Sequence, residues 1–487
     1  MKLSGYFSTG GNLPTQMPRD RRAGSRIIAA VNSILAKLKK DPLLTRLLRN
    51  SGYLFSSTVV SAVLGFAQGI LAVRLLGIEG YGLLAGTVFV FATNVNRLLS
   101  FRMSEVTVKY AGEALAQNNK ERAAALIKGL GLVEIATSIA AYLVLFALTP
   151  LAAQIFAKNL FTVPLFRAYG LFLLGNLIYE TSTGVLQTFK RFDRISAVQF
   201  SGSILTAASI GAAFLFKGNL LHILAAYLAG KLLAGMLIVL FAARELETNL
   251  GANWWRTPSS HSSFIFHPSS LIPDWRGILG FALNTNLNGT VNLVVRDSAP
   301  LFLAAFATQV EVGYFKLALS IVNLATLPIE PFIWPTYAEL TGTVARAQWD
   351  ATKRLLRRVS VIAAAWTLSA GGVLAALGWW IVPLVYGADA APAYPAVVIL
   401  LLGYGFATIL HWNRPLLLAL GKPSFPVVAA AIVGAAQIAL IFFFVPRFGY
   451  LGMAALLSGY LIISIGLIVW RGLSEIRRQS SIVNPKS

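Results

Sequence analysis

The chain has 487 residues, 56% of them apolar and 12% charged, and its mean hydropathy is +0.68. Soluble domains carry roughly 25% charged residues, so most of this apolar surface must sit in lipid. A soluble enzyme, a nucleic-acid-binding module and a disordered scaffold are thereby excluded. The net charge of +22 flanks apolar blocks instead of forming one basic domain, which marks membrane topology. With no cysteine, disulfides, thiolate metal sites and thiol nucleophiles are ruled out.

Residues 1–24 are polar, read as disordered, and carry no signal peptide. Residues 25–49 read as a basic amphipathic helix. Ile27, Ile28, Val31, Ile34, Leu35 and Leu38 share one face, opposed by Arg26, Lys37, Lys39 and Lys40. Such a helix lies on an anionic leaflet or simply anchors the topology. A span needs about 20 apolar residues, and twelve segments qualify. They are 51–76, 81–102, 124–149, 164–188, 194–216, 219–243, 277–303, 312–338, 358–385, 393–420, 424–445 and 450–470. Residues 151–163 are too short and mixed to span.

Residues 244–276 form the longest loop, with Trp254, Trp255, Pro258, Pro268 and Pro273. Its His261 and His267 have no partner ligands at useful spacing, so no metal is expected. The predicted organisation is all-α and integral to the membrane. A cytoplasmic tail (1–50) precedes a six-helix lobe (51–243), a linker (244–276), a second six-helix lobe (277–470) and a tail (471–487).

Lys and Arg test this topology. With the N-terminus inside, 31 of the 41 fall on inside segments, five on outside segments and five within spans. That asymmetry places both termini in the cytoplasm.

Two stretches repeat. Leu71–Ala85 and Leu303–Ala318 each end a first span with Glu followed by Gly-Tyr, and Tyr81 and Tyr314 are 233 residues apart. Lys190 and Lys422, each closing a fourth span, are 232 apart. Two halves with six spans each share one orientation, so they are parallel repeats about an axis along the membrane normal, with the substrate site between them.

A charge at the bilayer centre costs about 2.5–3.5 kcal/mol on insertion scales, so each embedded one needs a partner or a cavity. In the seventh span, Asn284, Asn288, Asn292 and Arg296 recur every four residues as one stripe, with Asn286 and Asp297 off it. The stripe faces an aqueous cavity or glues the bundle through interhelical hydrogen bonds. The eighth span aligns Lys316, Ser320, Asn323 and Glu330, and Pro328, Pro331 and Pro335 kink its inner end. In the second span Thr93, Arg97 and Ser100 align, and Arg97 and Glu330 stand at the repeat offset. Glu134, Glu180, Lys231 and Arg414 are embedded too, with His411 beside the last. Glu134 and Glu180 are coupling acids for protons or sodium, or paired structural acids. Inward-facing Arg97, Arg296 and Lys316 suit an anion, since the planar guanidinium bonds two phosphate oxygens at once.

The block Arg74–Gly82 (RLLGIEGYG) resembles the end of the first span in polysaccharide and O-antigen flippases, and Phe101–Gly112 resembles the segment after their second span. Glu311–Phe315 with Leu327-Pro328 and Trp334-Pro335 resembles the second-half counterpart. These flippases belong to the multidrug, oligosaccharidyl-lipid and polysaccharide exporter (MOP) superfamily, and the likeness covers about residues 45–472. The resemblance implies a V-shaped, two-lobed exporter of twelve helices in the bacterial cytoplasmic membrane. It implies spans 1, 2, 7 and 8 lining a cationic cavity, and alternating access for an undecaprenyl-pyrophosphate-linked glycan moving from the inner to the outer leaflet. The partners expected are that glycan, membrane lipids and other polysaccharide-assembly proteins, without nucleic acid and without a cofactor. On this reading Arg97, Arg296 and Lys316 hold the pyrophosphate, while Asn284, Asn288, Asn292 and Asn323 contact sugars. Glu134, Glu180 and Glu330 are the coupling or paired acids. One rival is a multidrug exporter of the same superfamily. The other is a membrane polymerase or ligase, which the short, nearly uncharged outward loops argue against.

Overall fold

The structure is a computed structural model that describes residues 42–99, 103–252, 254–255 and 289–483. Asn284, Asn286, Asn288, Ser100, Arg102, His261, His267 and most of the basic amphipathic segment lie outside the described residues. The chain divides into two units, Met1–Tyr53 and Leu54–Ser487. The first is described over residues 42–53, which are helical. The second holds all the other described residues.

Among the described residues the elements are helical throughout, and nine stretches are long and apolar enough to cross a membrane. Two of these fold back on themselves at glycines. In α1 (Pro42–Tyr81) Gly77 has φ 71°, and a Cβ on Gly69 would lie 3.6 Å from the Tyr81 hydroxyl. Twelve residues of straight helix rise about 18 Å, so the chain reverses at Gly77, where only glycine adopts the left-handed φ without strain. Gly449 (φ 56°) does the same in the helix Ser424–Val483, bringing the Phe444 carbonyl to 3.1 Å from a Cβ on Gly452. The stretch 151–163, too short to span, is a π-turn at Ala153–Ala157 and a 3-10 turn at Leu160–Thr162.

Several helices outrun their apolar segments. Leu220–Leu250 continues into the predicted linker, and Ser424–Val483 continues into the predicted tail. Lipid obliges the backbone to bond internally, but nothing obliges a helix to end where lipid ends, so hydropathy marks the membrane boundary and not the helix end. The fourth span breaks into Val163–Gly170, Phe172–Gly175 and Tyr179–Thr188. Prolines end the eighth as expected. Gln309–Thr326 gives way to a 3-10 turn, Leu327–Phe332, carrying Pro328 and Pro331, before Ile333–Ala345 resumes.

Core packing separates two halves. The largest apolar cluster joins both of them at one end, from Ala72, Leu84 and Phe166 to Leu303, Phe315 and Val445. The remaining clusters are confined to one half each. Val185, Ile195 and Ile238 belong to one and Leu126 and Leu130 to another in the first half. Leu340, Trp349 and Leu416, and separately Leu417 and Ile468, belong to the second. The halves therefore share a core at one end and keep their own at the other. Outward-facing Leu132, Leu143, Phe443 and Trp470 are exposed apolar side chains, as a lipid-facing surface requires.

At the shared end the contact is reciprocal. A Cβ on Gly82 would overlap the Gln309 carbonyl, and one on Gly313 would overlap the Ile78 carbonyl. Ile78 to Gln309 and Gly82 to Gly313 are both 231 residues apart. Equivalent residues touching reciprocally define a local two-fold relation between the halves. The ends of the fourth and tenth spans repeat the offset. Arg191 N–H donates to the Leu186 carbonyl and Lys422 N–H to the Leu417 carbonyl. Arg191 then pairs with buried Glu245 at 2.7 Å, and Lys422 with buried Glu475 at 2.7 Å. Lys422 is thus the counterpart of Arg191 and not of Lys190. At an offset of 231 Arg97 corresponds to Pro328, so its sequence match to Glu330 does not hold at this contact.

Candidate functional site

The two halves meet through the second span of one and the seventh and eighth spans of the other. The second span opens with a π-turn, Gly82–Val88, and continues as Phe89–Leu99. The seventh contains a π-turn at Leu293–Asp297, closed by the Ser298 N–H donating to the Leu293 carbonyl five residues back. Hydrogen bonds that reach back five residues wind one more residue into the turn, which rotates Asp297 toward the side of Asn292. Helical periodicity alone had put Asp297 off the stripe. π-turns of this kind interrupt α-helices frequently at functional sites.

The consequence is an ion cluster between the halves. Asp297 Oδ2 accepts from Arg97 Nη1 at 2.9 Å, and Asp297 Oδ1 accepts from Arg296 Nε at 2.9 Å. One carboxylate thus bridges two guanidiniums, one from each half. Their side chains remain open to solvent, Arg97 at 57% and Arg296 at 44%, with Asp297 at 28%. Lys316 lies within electrostatic reach of Asp297, and Lys231 from Leu220–Leu250 within reach of Arg97. Tyr404 and buried Tyr460 flank Arg296. Buried Asn94, one turn before Arg97, donates to Ser298 Oγ at 2.8 Å and ties the same two spans.

The shared end is fastened by polar contacts as well. Arg74 donates to the Leu384 and Val385 carbonyls, and Lys158 to the Ala307 carbonyl at 2.8 Å. Thr87 donates to Gln309 Oε1, while Gln309 Nε2 reaches the Phe156 carbonyl. Glu311 of the repeated motif closes a capping box with Thr308, which fixes the start of Gln309–Thr326. An apolar pocket of about 190 Å³ opens at the seam, lined by Phe66, Ile321, Leu324, Leu374, Val382 and Tyr386.

Of the expected site residues, Arg97, Arg296 and Lys316 converge. Asn292 precedes the π-turn and makes further contacts. Asn323 is exposed near the end of its helix. Glu330 is exposed on the 3-10 turn and pairs with no described residue. Glu134 and Glu180 form a separate set. Glu134, 2% exposed, accepts from the Glu180 and Thr181 N–H groups at 2.7 and 2.8 Å, and Glu180 accepts from Ser104. Glu134 therefore satisfies orphan donors at the start of Tyr179–Thr188, where a negative charge also suits the helix dipole. Lys231, Asp297 and Asn94 were missed as site residues, although Lys231 and Asp297 stood out as embedded charges.

This geometry describes a polytopic membrane protein of two helical halves with a charged site between them, the fold of MOP-superfamily transporters. A multidrug resistance MATE family transporter of that superfamily, solved inward-facing, superposes with a TM-score of 0.67 at 13% identity, over 86% of this chain and 96% of that one. The lipid II flippase MurJ, in an inward closed conformation, superposes at 0.62 with 16% identity, over 88% and 90%. Inner membrane protein YghQ of Escherichia coli strain K12 is 24% identical over 291 residues, 59% of this chain and 78% of that protein. The family described as polysaccharide biosynthesis protein matches residues 47–339, and the chain belongs to that family.

Proposed function

We propose that this chain moves a polyprenyl-pyrophosphate-linked oligosaccharide from the inner to the outer leaflet of a bacterial cytoplasmic membrane by alternating access. The observation that carries this reading is the pairing of Arg97 and Arg296, one from each half and both open to solvent, on the single carboxylate of Asp297, with Lys316 within its electrostatic reach. Guanidinium groups grip phosphate oxygens in a fixed fork geometry, and a site shared by two halves changes when they rock. On the charge asymmetry of the sequence, the fastened end at Arg74, Lys158 and Gln309 is the outer one, which supports entry of the lipid-linked glycan from the cytoplasmic leaflet. Asn292 and Asn323 offer amides to sugars. The apolar pocket at the seam suits the first isoprene units of the lipid, leaving the remaining tail in the bilayer. Membership in the polysaccharide biosynthesis family and likeness to a lipid II flippase support the reading.

The rival within the superfamily is a multidrug exporter. A site for lipophilic cations calls for acids where this chain places Arg97, Arg296 and Lys316. Deleting the gene and extracting polyprenyl-linked oligosaccharides separates the two. Lipid-linked repeat units accumulating on the cytoplasmic side, with surface polymer lost, support the flippase. Unchanged lipids and polymer, with heightened sensitivity to cationic drugs, would sink it.

A further inference from the structure

Among the described residues Asp297 is the acid that pairs with Arg97 and Arg296 and lies within electrostatic reach of Lys316, and it sits where an anionic ligand would bind. Each of its oxygens holds one guanidinium, Arg97 from the first half and Arg296 from the second, both at 2.9 Å. The π-turn at Leu293–Asp297 is what aims it there. Neither guanidinium is saturated, because arginine has five N–H donors, and both remain about half open to solvent. A carboxylate and a phosphate present similar oxygens to the same planar fork.

We infer that Asp297 is an internal stand-in for the substrate's pyrophosphate, clasping the two halves through Arg97 and Arg296 when the site is empty and being displaced when the pyrophosphate arrives. This rests on the pyrophosphate reading above and adds a residue that couples occupancy to the link between the halves. Displacement exchanges one bridging anion for another. The arginines stay paired throughout, while the covalent tether of the bridge to the seventh span is lost.

The test is a titration of inorganic pyrophosphate into the purified full chain in lipid nanodiscs, read by calorimetry. Removing a competing charge a few ångströms from the ligand is worth enough, at an effective dielectric near 20, to tighten binding about tenfold or more. Asp297→Asn should therefore bind pyrophosphate at least about tenfold more tightly, Asp297→Glu should return toward the wild-type affinity, and Arg296→Ala should lose binding. A role in stability alone gives no gain in affinity. Equal or weaker binding by Asp297→Asn, with binding still lost in Arg296→Ala, overturns the stand-in role and leaves the anion site intact. If wild type does not bind, or Arg296→Ala binds normally, the pyrophosphate reading itself falls. Should Asp297→Asn not fold, the cysteine-free chain permits a second measurement on the otherwise wild-type protein. Spin labels at Leu98→Cys and Trp334→Cys, both exposed and on opposite halves, should change their separation when pyrophosphate is added. An unchanged distance contradicts the proposal.

Discussion

Arg296 supplies one of the two guanidiniums at the junction of the halves. A hydrogen bond to a charged group is worth about 1.5–3 kcal/mol, so Arg296→Ala should lower transport about tenfold or more while the protein level in the membrane stays the same. Restored surface polysaccharide in a complemented deletion strain would show that Arg296 is dispensable. Glu134 calls for the opposite outcome. Its two oxygens cap two backbone N–H groups in the lobe interior, so Glu134→Ala should cost about 1–3 kcal/mol of stability, and Glu134→Gln, which keeps one acceptor, should cost less. Thermal unfolding in detergent measures both. A stable Glu134→Gln protein that no longer transports would instead make this carboxyl a coupling group. Sequence reasoning reached Arg97, Arg296 and Lys316 because a charge in an apolar span is conspicuous. It could not tell a capping Glu134 from a coupling one, since the difference lies in backbone groups 46 and 47 residues away.

At the scale of elements, spans and breaks were legible where residue type controls the backbone. Pro328 and Pro331 announce the break in the eighth span, and the Glu-Gly-Tyr blocks mark where the halves touch. The π-turn at Leu293–Asp297 was not legible. Its extra residue per turn has no compositional mark, and it moved Asp297 from beside the site into it. Nor was the break after Gly175, where no proline stands in the sequence. The reciprocal glycines carry a prediction of their own. A methyl group on Gly82 or Gly313 would collide with carbonyl oxygens of the opposite half, and backbone yields less readily than a side chain. Overpacking costs about 1–3 kcal/mol, so Gly82→Ala should part the halves at this end. The check is labelling of Gln309→Cys by a membrane-impermeant maleimide, which should be faster in the Gly82→Ala protein. Equal rates would mean that the end stays closed.

Over the whole molecule, the duplicated architecture was readable from charge and motif order, but its register was not. The Tyr81 and Tyr314 match suggested an offset of 233, whereas the touching glycines and the closing hydrogen bonds of Arg191 to Leu186 and Lys422 to Leu417 set the equivalence at 231 for the contact and for the ends of the fourth and tenth spans. Short motifs tolerate a slip of two residues, but packing at a two-fold contact does not. The Arg191–Glu245 and Lys422–Glu475 ion pairs each tie a loop to the last helix of their own half. Glu475 is 3% exposed and gathers Lys422, Arg471 and Arg478. Glu475 accepts from several basic groups at once while the Asp350–Lys353 pair is exposed and long, so Glu475→Ala should lower the unfolding temperature clearly more than Asp350→Ala. Equal losses would deny the buried cluster a structural role.

The transport reading is best judged in reconstituted vesicles. The purified chain is inserted into liposomes carrying a fluorescent polyprenyl-pyrophosphate-linked sugar, and the fraction of label exposed on the outer surface is followed over time with an impermeant quencher or lectin. Transfer between leaflets by the wild-type chain, lost in Arg296→Ala, is the predicted result. Transfer no faster than in empty liposomes, alongside uptake of a lipophilic cation by the same vesicles, would contradict it.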